Sequence, residues 1–165
     1  MSLITPQMRA IVGRVMRETV SFPVTDSDIR RWAVAVYWPE PPPRRFWDEA
    51  SAPDGLVAPE EFNPFAWIAR RPSPEDPPVS QTAFSERELG VEPPPYRAIV
   101  LSEIRTRYGG ARIRPGDVIR STHAITDYME REGRMGLMLY TTLAHTLHNQ
   151  SGEWLRTVES VFVRY

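Results

Sequence analysis

The chain has 165 residues, with 20 basic and 21 acidic side chains and a formal net charge of -1. This length suits one domain with a sizeable core, and the balanced charge argues against nucleic acid or an anionic membrane surface as a partner. Cysteine is absent and no apolar run approaches the ~20 residues of a membrane span, which excludes disulfides, thiolate zinc sites and a cysteine nucleophile and predicts a cytoplasmic protein.

The first part of the chain predicts a short helix, a strand and a longer helix in succession. A proline directly after Thr5 predicts a helix over residues 7–12. Apolar residues at every second position predict a strand over residues 18–24. Thr25 is a good N-cap, an acid follows at the third helical position, and apolar residues recur at helical spacing, which predicts a helix over Asp26–Tyr37.

A proline-rich segment ends this helix. Residues 38–43 read Trp-Pro-Glu-Pro-Pro-Pro, and each residue before a proline is pushed out of the helical region. The segment predicts a stiff, extended connector, with a ligand for a proline-recognising domain as the alternative. Residues 44–54 then predict a helical turn and a loop.

Residues 55–69 predict the helix around which the fold is organised. The stretch begins with Gly55, carries Glu60 and Glu61 at its head and then becomes apolar and aromatic. This pattern is typical of a short, buried helix.

A long surface excursion is predicted over residues 70–95. The segment is rich in Pro, Ser, Glu and Asp, and Phe84 and Leu89 are its candidate anchors to the core. Long loops in compact domains are often functional, so a plain connector and a flap that covers substrate are both open interpretations.

The second half of the chain predicts a meander of long strands. They cover residues 98–108, 118–128, 137–148 and 153–164, with turns over residues 114–117, 130–136 and 149–152. One helix followed by such strands predicts a single α+β domain over residues 1–165, with an antiparallel sheet wrapped around a central helix. Strands of this length also suit a sheet that pairs with a second copy of itself.

The histidines lie on the predicted strands. His123 alternates with Ser121 and Ile125, and the odd spacing of His145 and His148 puts them on opposite faces. We therefore predict structural or surface histidines and no metal site. A serine nucleophile is not indicated either, because no Gly-x-Ser-x-Gly segment occurs.

Several segments together resemble the MaoC-like hydratase/dehydratase family, in its non-catalytic, N-terminal-half branch. They are TDSDIRRWAVAV at 25–36, VAP at 57–59, RPGDV at 114–118, YMEREGR at 128–134 and TLHNQSGE at 146–153. The resemblance implies one hot dog domain in which the sheet encloses the central helix. More narrowly, residues 38–49 and 60–67 are similar to actinobacterial subunits that act on steroid side-chain thioesters.

The resemblance implies addition of water to, or its removal from, a 2-enoyl thioester of coenzyme A or acyl carrier protein. Family members hold the water with an Asp and a His five positions later, after the capped helix. The corresponding residues 37–48 contain neither the His nor a properly placed Asp. Glu40 and Asp48 are the nearest carboxylates, which we interpret as a solvated acid and a helix cap. A partner hot dog subunit is therefore expected to supply the pair, and this chain is expected to lack catalytic residues.

The expected site residues fall into two sets. Candidates for lining the acyl tunnel are Tyr37, Trp38, Asn63, Phe65 and Trp67. Candidates for binding the coenzyme A phosphates are Arg44, Arg45, Arg70 and Arg71, because guanidinium groups suit phosphate. Coenzyme A is part of the substrate, and no separate cofactor is expected.

Two other functions remain open at this point. The chain could be a self-sufficient homodimeric hydratase or thioesterase that uses Asp48 or Glu40, or an acyl-CoA binding or scaffold module. Fold alone does not choose between them.

Overall fold

One antiparallel sheet of five strands organises the molecule. The computed structural model describes residues 2–51, 55–66 and 85–165. The strands are β1 (Val15–Val20), β2 (Ile99–Tyr108), β3 (Arg120–Gly133), β4 (Gly136–His148) and β5 (Trp154–Arg164). Their order across the sheet is β1-β3-β4-β5-β2, so β1 and β2 are its two edges.

Three short helical segments and two 3-10 turns accompany the sheet. The helices are α1 (Pro6–Ala10), α2 (Asp26–Tyr37) and α3 (Ser85–Glu88), and the 3-10 turns are Arg44–Phe46 and Glu49–Ser51. The predicted bounds of α2 are confirmed. Its start is fixed by a reciprocal cap, in which Thr25 Oγ1 accepts from the Asp28 amide and the Asp28 carboxylate accepts from the Thr25 amide.

The predicted long strands are confirmed, with shifted ends, but only β3, β4 and β5 form a meander. The prediction is wrong for β2, which pairs with β5 at the far edge of the sheet and not with β3, the next strand along the chain. β3 runs on to Gly133 and turns through two residues, so the hairpin predicted over residues 130–136 is shorter than expected. The first strand ends at Val20, although the predicted strand extended to residue 24. The Ser21 amide still donates to the Ile119 carbonyl, but Pro23 has no amide hydrogen with which to continue the ladder.

The predicted helix over residues 55–69 is wrong for its described part, residues 55–66. This part forms turns: the Phe62 amide donates to the Pro59 carbonyl and the Ala66 amide to the Asn63 carbonyl. Pro64 disfavours helical geometry at Asn63, and the Asn63 side chain accepts from the Phe65 amide, which competes with a helix. Residues 67–69 lie outside the described residues.

Two apolar clusters cover the ends of one face of the sheet, which we call the inner face. The α2 cluster contains Val24, Ile29, Leu56, Ala58, Phe62, Ile113, Ile119, Leu147 and Leu155. The α1 cluster contains Met8, Ile11, Ile125, Tyr128 and Leu139. The helix α2 and residues 55–66 therefore close one end of the inner face, and α1 closes the other.

The short helix α3 is held at the α1 end by a buried ion pair and was missed by the sequence analysis. Glu86 Oε1 lies 2.5 Å from Arg164 Nη2 and accepts from the Tyr128 hydroxyl at 3.0 Å. The same Arg164 nitrogen donates to Thr141 Oγ1. Leu89, just after α3, packs against the α1 cluster as predicted; Phe84 and most of the predicted excursion lie outside the described residues.

Candidate functional site

A polar strip separates the two apolar clusters on the inner face. Strand register places His123 of β3 directly opposite His145 of β4. Their rings are stacked, with centroids 4.1 Å apart and planes inclined by 20°. Ser121 Oγ lies 2.5 Å from His145 Nε2. Since both clusters are apolar, these three side chains form the polar centre of the inner face.

The surroundings keep both imidazoles neutral at pH 7. Burial lowers the pKa of His145 to about 4, and the neighbouring His123 and Arg156 act in the same direction. Burial also lowers the pKa of His123, and Arg17 adds to this effect. A neutral imidazole offers one hydrogen-bond donor and one acceptor, so the strip can bind uncharged polar groups.

The edge strand β2 is open along its whole length. All ten residues are exposed, and among the described residues it pairs with β5 alone. Ile99, Leu101 and Ile104 are exposed large apolar side chains that share the inner face with their register partners on β5. The register with β5 shifts between Leu101 and Glu103. A long edge strand with apolar side chains on its inner face is a template for pairing with another strand.

A second group of polar side chains lies near the end of β2, and the sequence did not predict it. The Tyr108 hydroxyl donates to Glu61 Oε1 at 3.4 Å, and Arg156 Nη1 donates to the Glu60 carbonyl at 2.9 Å. Burial lowers the pKa of Arg156. These contacts join β2, β5 and the turns of residues 55–66. Like the histidine stack, they depend on strand register, which no local sequence signal reveals.

The predicted tunnel residues fall into two separate groups. Tyr37 is half-buried and its ring centroid lies 6.0 Å from that of Phe46, whereas Trp38 is 78% exposed. Phe65 packs against the α2 cluster, and the Asn63 side chain is engaged with the Phe65 amide. Trp67, the fifth predicted tunnel residue, lies outside the described residues. The tunnel role of the set stays a prediction.

The predicted phosphate ligands that the structure describes are both exposed. Arg44 and Arg45 lie in the first 3-10 turn, and the Arg45 guanidinium carbon is 4.7 Å from the centroid of the Phe46 ring. Within the described ranges, neither has an ion pair with a carboxylate. Arg70 and Arg71 lie outside these ranges, so phosphate binding by any of the four stays a prediction.

The two carboxylates nearest the family's catalytic position differ in their contacts. Asp48 accepts hydrogen bonds from the Ala50 amide at 3.1 Å and the Ser51 hydroxyl at 2.7 Å, so its carboxylate caps the second 3-10 turn. This confirms the interpretation of Asp48 as a cap. Glu40 is exposed. Over residues 2–51, 55–66 and 85–165, no three His, Asp or Glu side chains are grouped so that they could hold a metal ion.

The described part of the chain has no helix long and apolar enough to cross a membrane. No curated protein matches the sequence significantly. Solved structures do share the fold. The ChsH1–ChsH2 complex from Mycobacterium tuberculosis superposes with a TM-score of 0.64 at 14% identity, over 96% of this chain and 88% of that one.

Two further structures have the same architecture. The MaoC-like dehydratase from Rhodospirillum rubrum has a TM-score of 0.53 at 18% identity, covering 90% of both chains. The HadBC (3R-hydroxyacyl-ACP dehydratase) complex from Mycobacterium tuberculosis has a TM-score of 0.52 at 18% identity, covering 90% of this chain and 96% of that one. The family model for the FAS1-like dehydratase domain region matches residues 10–158. The chain therefore belongs to the FAS1-like dehydratase family and has the hot dog fold of the MaoC-like hydratases and dehydratases.

Proposed function

We propose that this chain is the non-catalytic, tunnel-forming subunit of a heteromeric MaoC-like 2-enoyl-CoA hydratase. The observation that carries the proposal is the lack of an Asp/His pair in residues 37–48, where the family places its Asp and His. This segment contains no histidine, and the carboxylate of Asp48 is engaged by Ala50 and Ser51. The Asp48 carboxylate is thus oriented as a cap of the second 3-10 turn, and residues 37–48 contain no histidine that could act with it as an acid–base pair.

The open edge β2 supports a hot dog partner. Its ten residues are exposed, and no strand of the described residues pairs with it on the side away from β5, so a second sheet can continue across it through backbone hydrogen bonds. The apolar side chains of Ile99, Leu101 and Ile104 would then be covered, which supplies hydrophobic free energy for association. Two of the solved structures that share this fold are named as two-protein complexes.

The reaction requires few groups. A base takes a proton from water as its oxygen bonds to C3, an acid delivers a proton to C2, and hydrogen-bond donors stabilise the thioester oxygen in between. In the proposed complex the partner supplies the Asp and His that move these protons. This chain encloses the acyl group and excludes water from it.

The proposed substrate is a bulky acyl-CoA, with a steroid side-chain thioester as the specific candidate from the sequence resemblance. An empty catalytic position leaves space for such a group on this side of the complex. Tyr37, Trp38, Asn63, Phe65 and Trp67 remain the proposed lining. Arg44, Arg45, Arg70 and Arg71 remain the proposed phosphate ligands. Coenzyme A enters as part of the substrate, no separate cofactor is proposed, and the absence of cysteine fits action in the cytoplasm.

The decisive experiment measures hydration of a short and a steroid-sized 2-enoyl-CoA through loss of the conjugated thioester absorbance. We expect no turnover by the purified, folded chain and turnover once a dyad-bearing MaoC-like subunit is added. Turnover by the chain alone would contradict the proposal and favour a homodimeric hydratase or thioesterase. Asp48→Asn and Glu40→Gln would then identify its base.

Edge pairing is tested separately by placing a charge on each edge of the sheet. Val100→Lys on β2 should weaken co-purification with the dyad-bearing subunit, because an edge lysine opposes strand pairing. Val15→Lys on β1 is the matched control, since both valines are exposed residues of an edge strand. Equal effects of the two variants would contradict pairing through β2. Acyl-CoA binding without any assembly would instead favour a binding or scaffold module.

A further inference from the structure

His123 is a half-buried polar side chain for which the described residues provide no hydrogen-bond partner. Its ring contacts that of His145, but only His145 has a hydrogen bond, to Ser121. Polar side chains in partly enclosed positions normally have a partner in the protein or in water. An imidazole that stacks on its neighbour and leaves both ring nitrogens available is therefore suited to a ligand.

The strip containing this pair continues to the edge of the sheet. In register, His123 is opposite His145, His145 is opposite Val158 of β5, and Val158 is opposite Thr106 of β2. Exposure increases along this row, from the half-buried histidines to the exposed Thr106. Beside it, Ile104 is 57% exposed. Among the described residues, the row therefore forms a partly exposed floor with apolar and polar parts, between the two clusters.

The distance along this floor limits the length of the ligand. Neighbouring strands are about 4.8 Å apart. His145 lies two strands in from β2 and His123 three, so the polar pair is roughly 10–14 Å from the edge. An acyl group whose thioester lies near the β2 edge reaches the histidine pair only with its far end. A four-carbon acyl group is too short to reach the pair.

We propose that His123 and His145 bind an oxygen substituent, a ketone or a hydroxyl group, at the far end of the acyl group. This inference rests on the proposed function, because it requires an acyl group enclosed by this chain, and it adds that the far end of this group lies on the inner face. A neutral imidazole can donate to a ketone oxygen or accept from a hydroxyl. A purely apolar acyl group would leave the His123 nitrogens unpaired in a site from which water is excluded, at an energetic cost.

The test uses the assembled complex and three acyl-CoAs of equal length, which carry a ketone, a hydroxyl or only hydrogen at the far end. Equilibrium binding is measured by calorimetry for the wild type and for His123→Leu and His145→Leu. His148→Leu is the matched control, because it makes the same substitution on β4 at a side chain that lies on the opposite face of the sheet. The wild type should bind at least one oxygenated ligand more tightly than the plain one. Both inner-face variants should lose about 2- to 10-fold in affinity for that ligand and less than twofold for the plain acyl-CoA.

The outcomes separate this inference from the function on which it rests. Equal affinity of the wild type for all three ligands overturns the oxygen site and leaves the acyl tunnel standing. An equal loss for all three ligands in His123→Leu assigns that histidine to packing and also overturns the site. If the assembled wild type binds none of the three, the proposed function itself fails and this inference fails with it.

Discussion

Both ends of the inner face have an apolar cluster, but only the α1 end adds a buried ion pair among the described residues. At the α2 end, Ile29, Phe62 and Leu147 are fully buried in an apolar cluster. At the α1 end, α3 is attached through Glu86 and Arg164, which are 1% and 3% exposed. Apolar contact is non-directional and grows with buried area, whereas a buried ion pair is costly to desolvate and depends on both partners. A substitution at the α2 end should therefore cost stability in proportion to the apolar area that it removes. Loss of one ion-pair partner at the α1 end should cost more than its area alone would predict.

The largest difference is expected from Glu86→Gln. This substitution removes the carboxylate that lies 2.5 Å from the buried Arg164 guanidinium, which should lower the free energy of unfolding by about 3–5 kcal/mol. Urea denaturation measures the change. The control is Glu88→Gln in the same helix, whose 2.7 Å contact with Arg17 is partly exposed and should matter by less than about 1 kcal/mol. Similar losses for the two variants would contradict the special role of the buried pair.

Ile29→Ala tests the apolar end. Ile29 is fully buried on α2, and its truncation leaves a cavity worth about 2–5 kcal/mol of stability. Val34→Ala on the same helix removes a side chain that is 51% exposed and should change stability by no more than about 0.5 kcal/mol. Thermal or urea unfolding of the pair gives the comparison. A large loss for Val34→Ala would mean that α2 also buries its outer side.

Gly109→Ala tests how closely two backbone segments approach each other beside the α2 cluster. The Gly109 amide donates to the Leu155 carbonyl at 2.7 Å, and a Cβ here would overlap the Trp154 carbonyl oxygen. Forcing β2 and β5 apart should cost about 1–3 kcal/mol. Gly110→Ala is the matched control, because its Cβ would meet no atom within 4 Å. Equal unfolding midpoints for the two variants would refute the close approach.

The smallest expected effect is a pH dependence of stability that arises from His145, in the polar strip between the two clusters. Because the pKa of His145 is lowered from 6.5 to about 4, its contribution to stability is complete above pH 6.5. It is lost progressively as the pH falls toward 4, since the unfolded chain takes up a proton that the folded one resists. Partial exposure keeps the effect modest. Denaturation between pH 7 and 4 should show a shallower decline in His145→Leu than in His148→Leu, and parallel declines would count against the assignment.

The long strands of the second half and the turns between β3, β4 and β5 were predictable because each carries its own local signal, whereas the position of β2 beside β5 was not. Alternating apolar residues mark the strands, and Asn149 marks a turn in which its side chain accepts from the Ser151 and Glu153 amides. The N-cap at Thr25 likewise fixed the start of α2. Such signals depend on residues close in sequence, so one sequence is enough to read them.

The candidate site was much less predictable. The face of each histidine followed from alternation, but the stack of His123 on His145 depends on how β3 and β4 are aligned. Glu86 lies within the segment predicted as a surface excursion, and its buried partner Arg164 is far along the chain. The helix predicted over residues 55–69 failed over residues 55–66 because the local preference of Asn63 and Pro64 for turns outweighed an apolar pattern that suited a helix.

The order of the strands affects how the protein is made. β2 pairs with β5, although β3 and β4 are synthesised between them. On the ribosome β2 must remain without its partner while these strands emerge, on the order of seconds at ~5–20 residues per second. This pairing is between segments distant in sequence, which is intrinsically slow. The strand proposed to recruit a partner in the finished complex is therefore also a segment exposed to aggregation during synthesis.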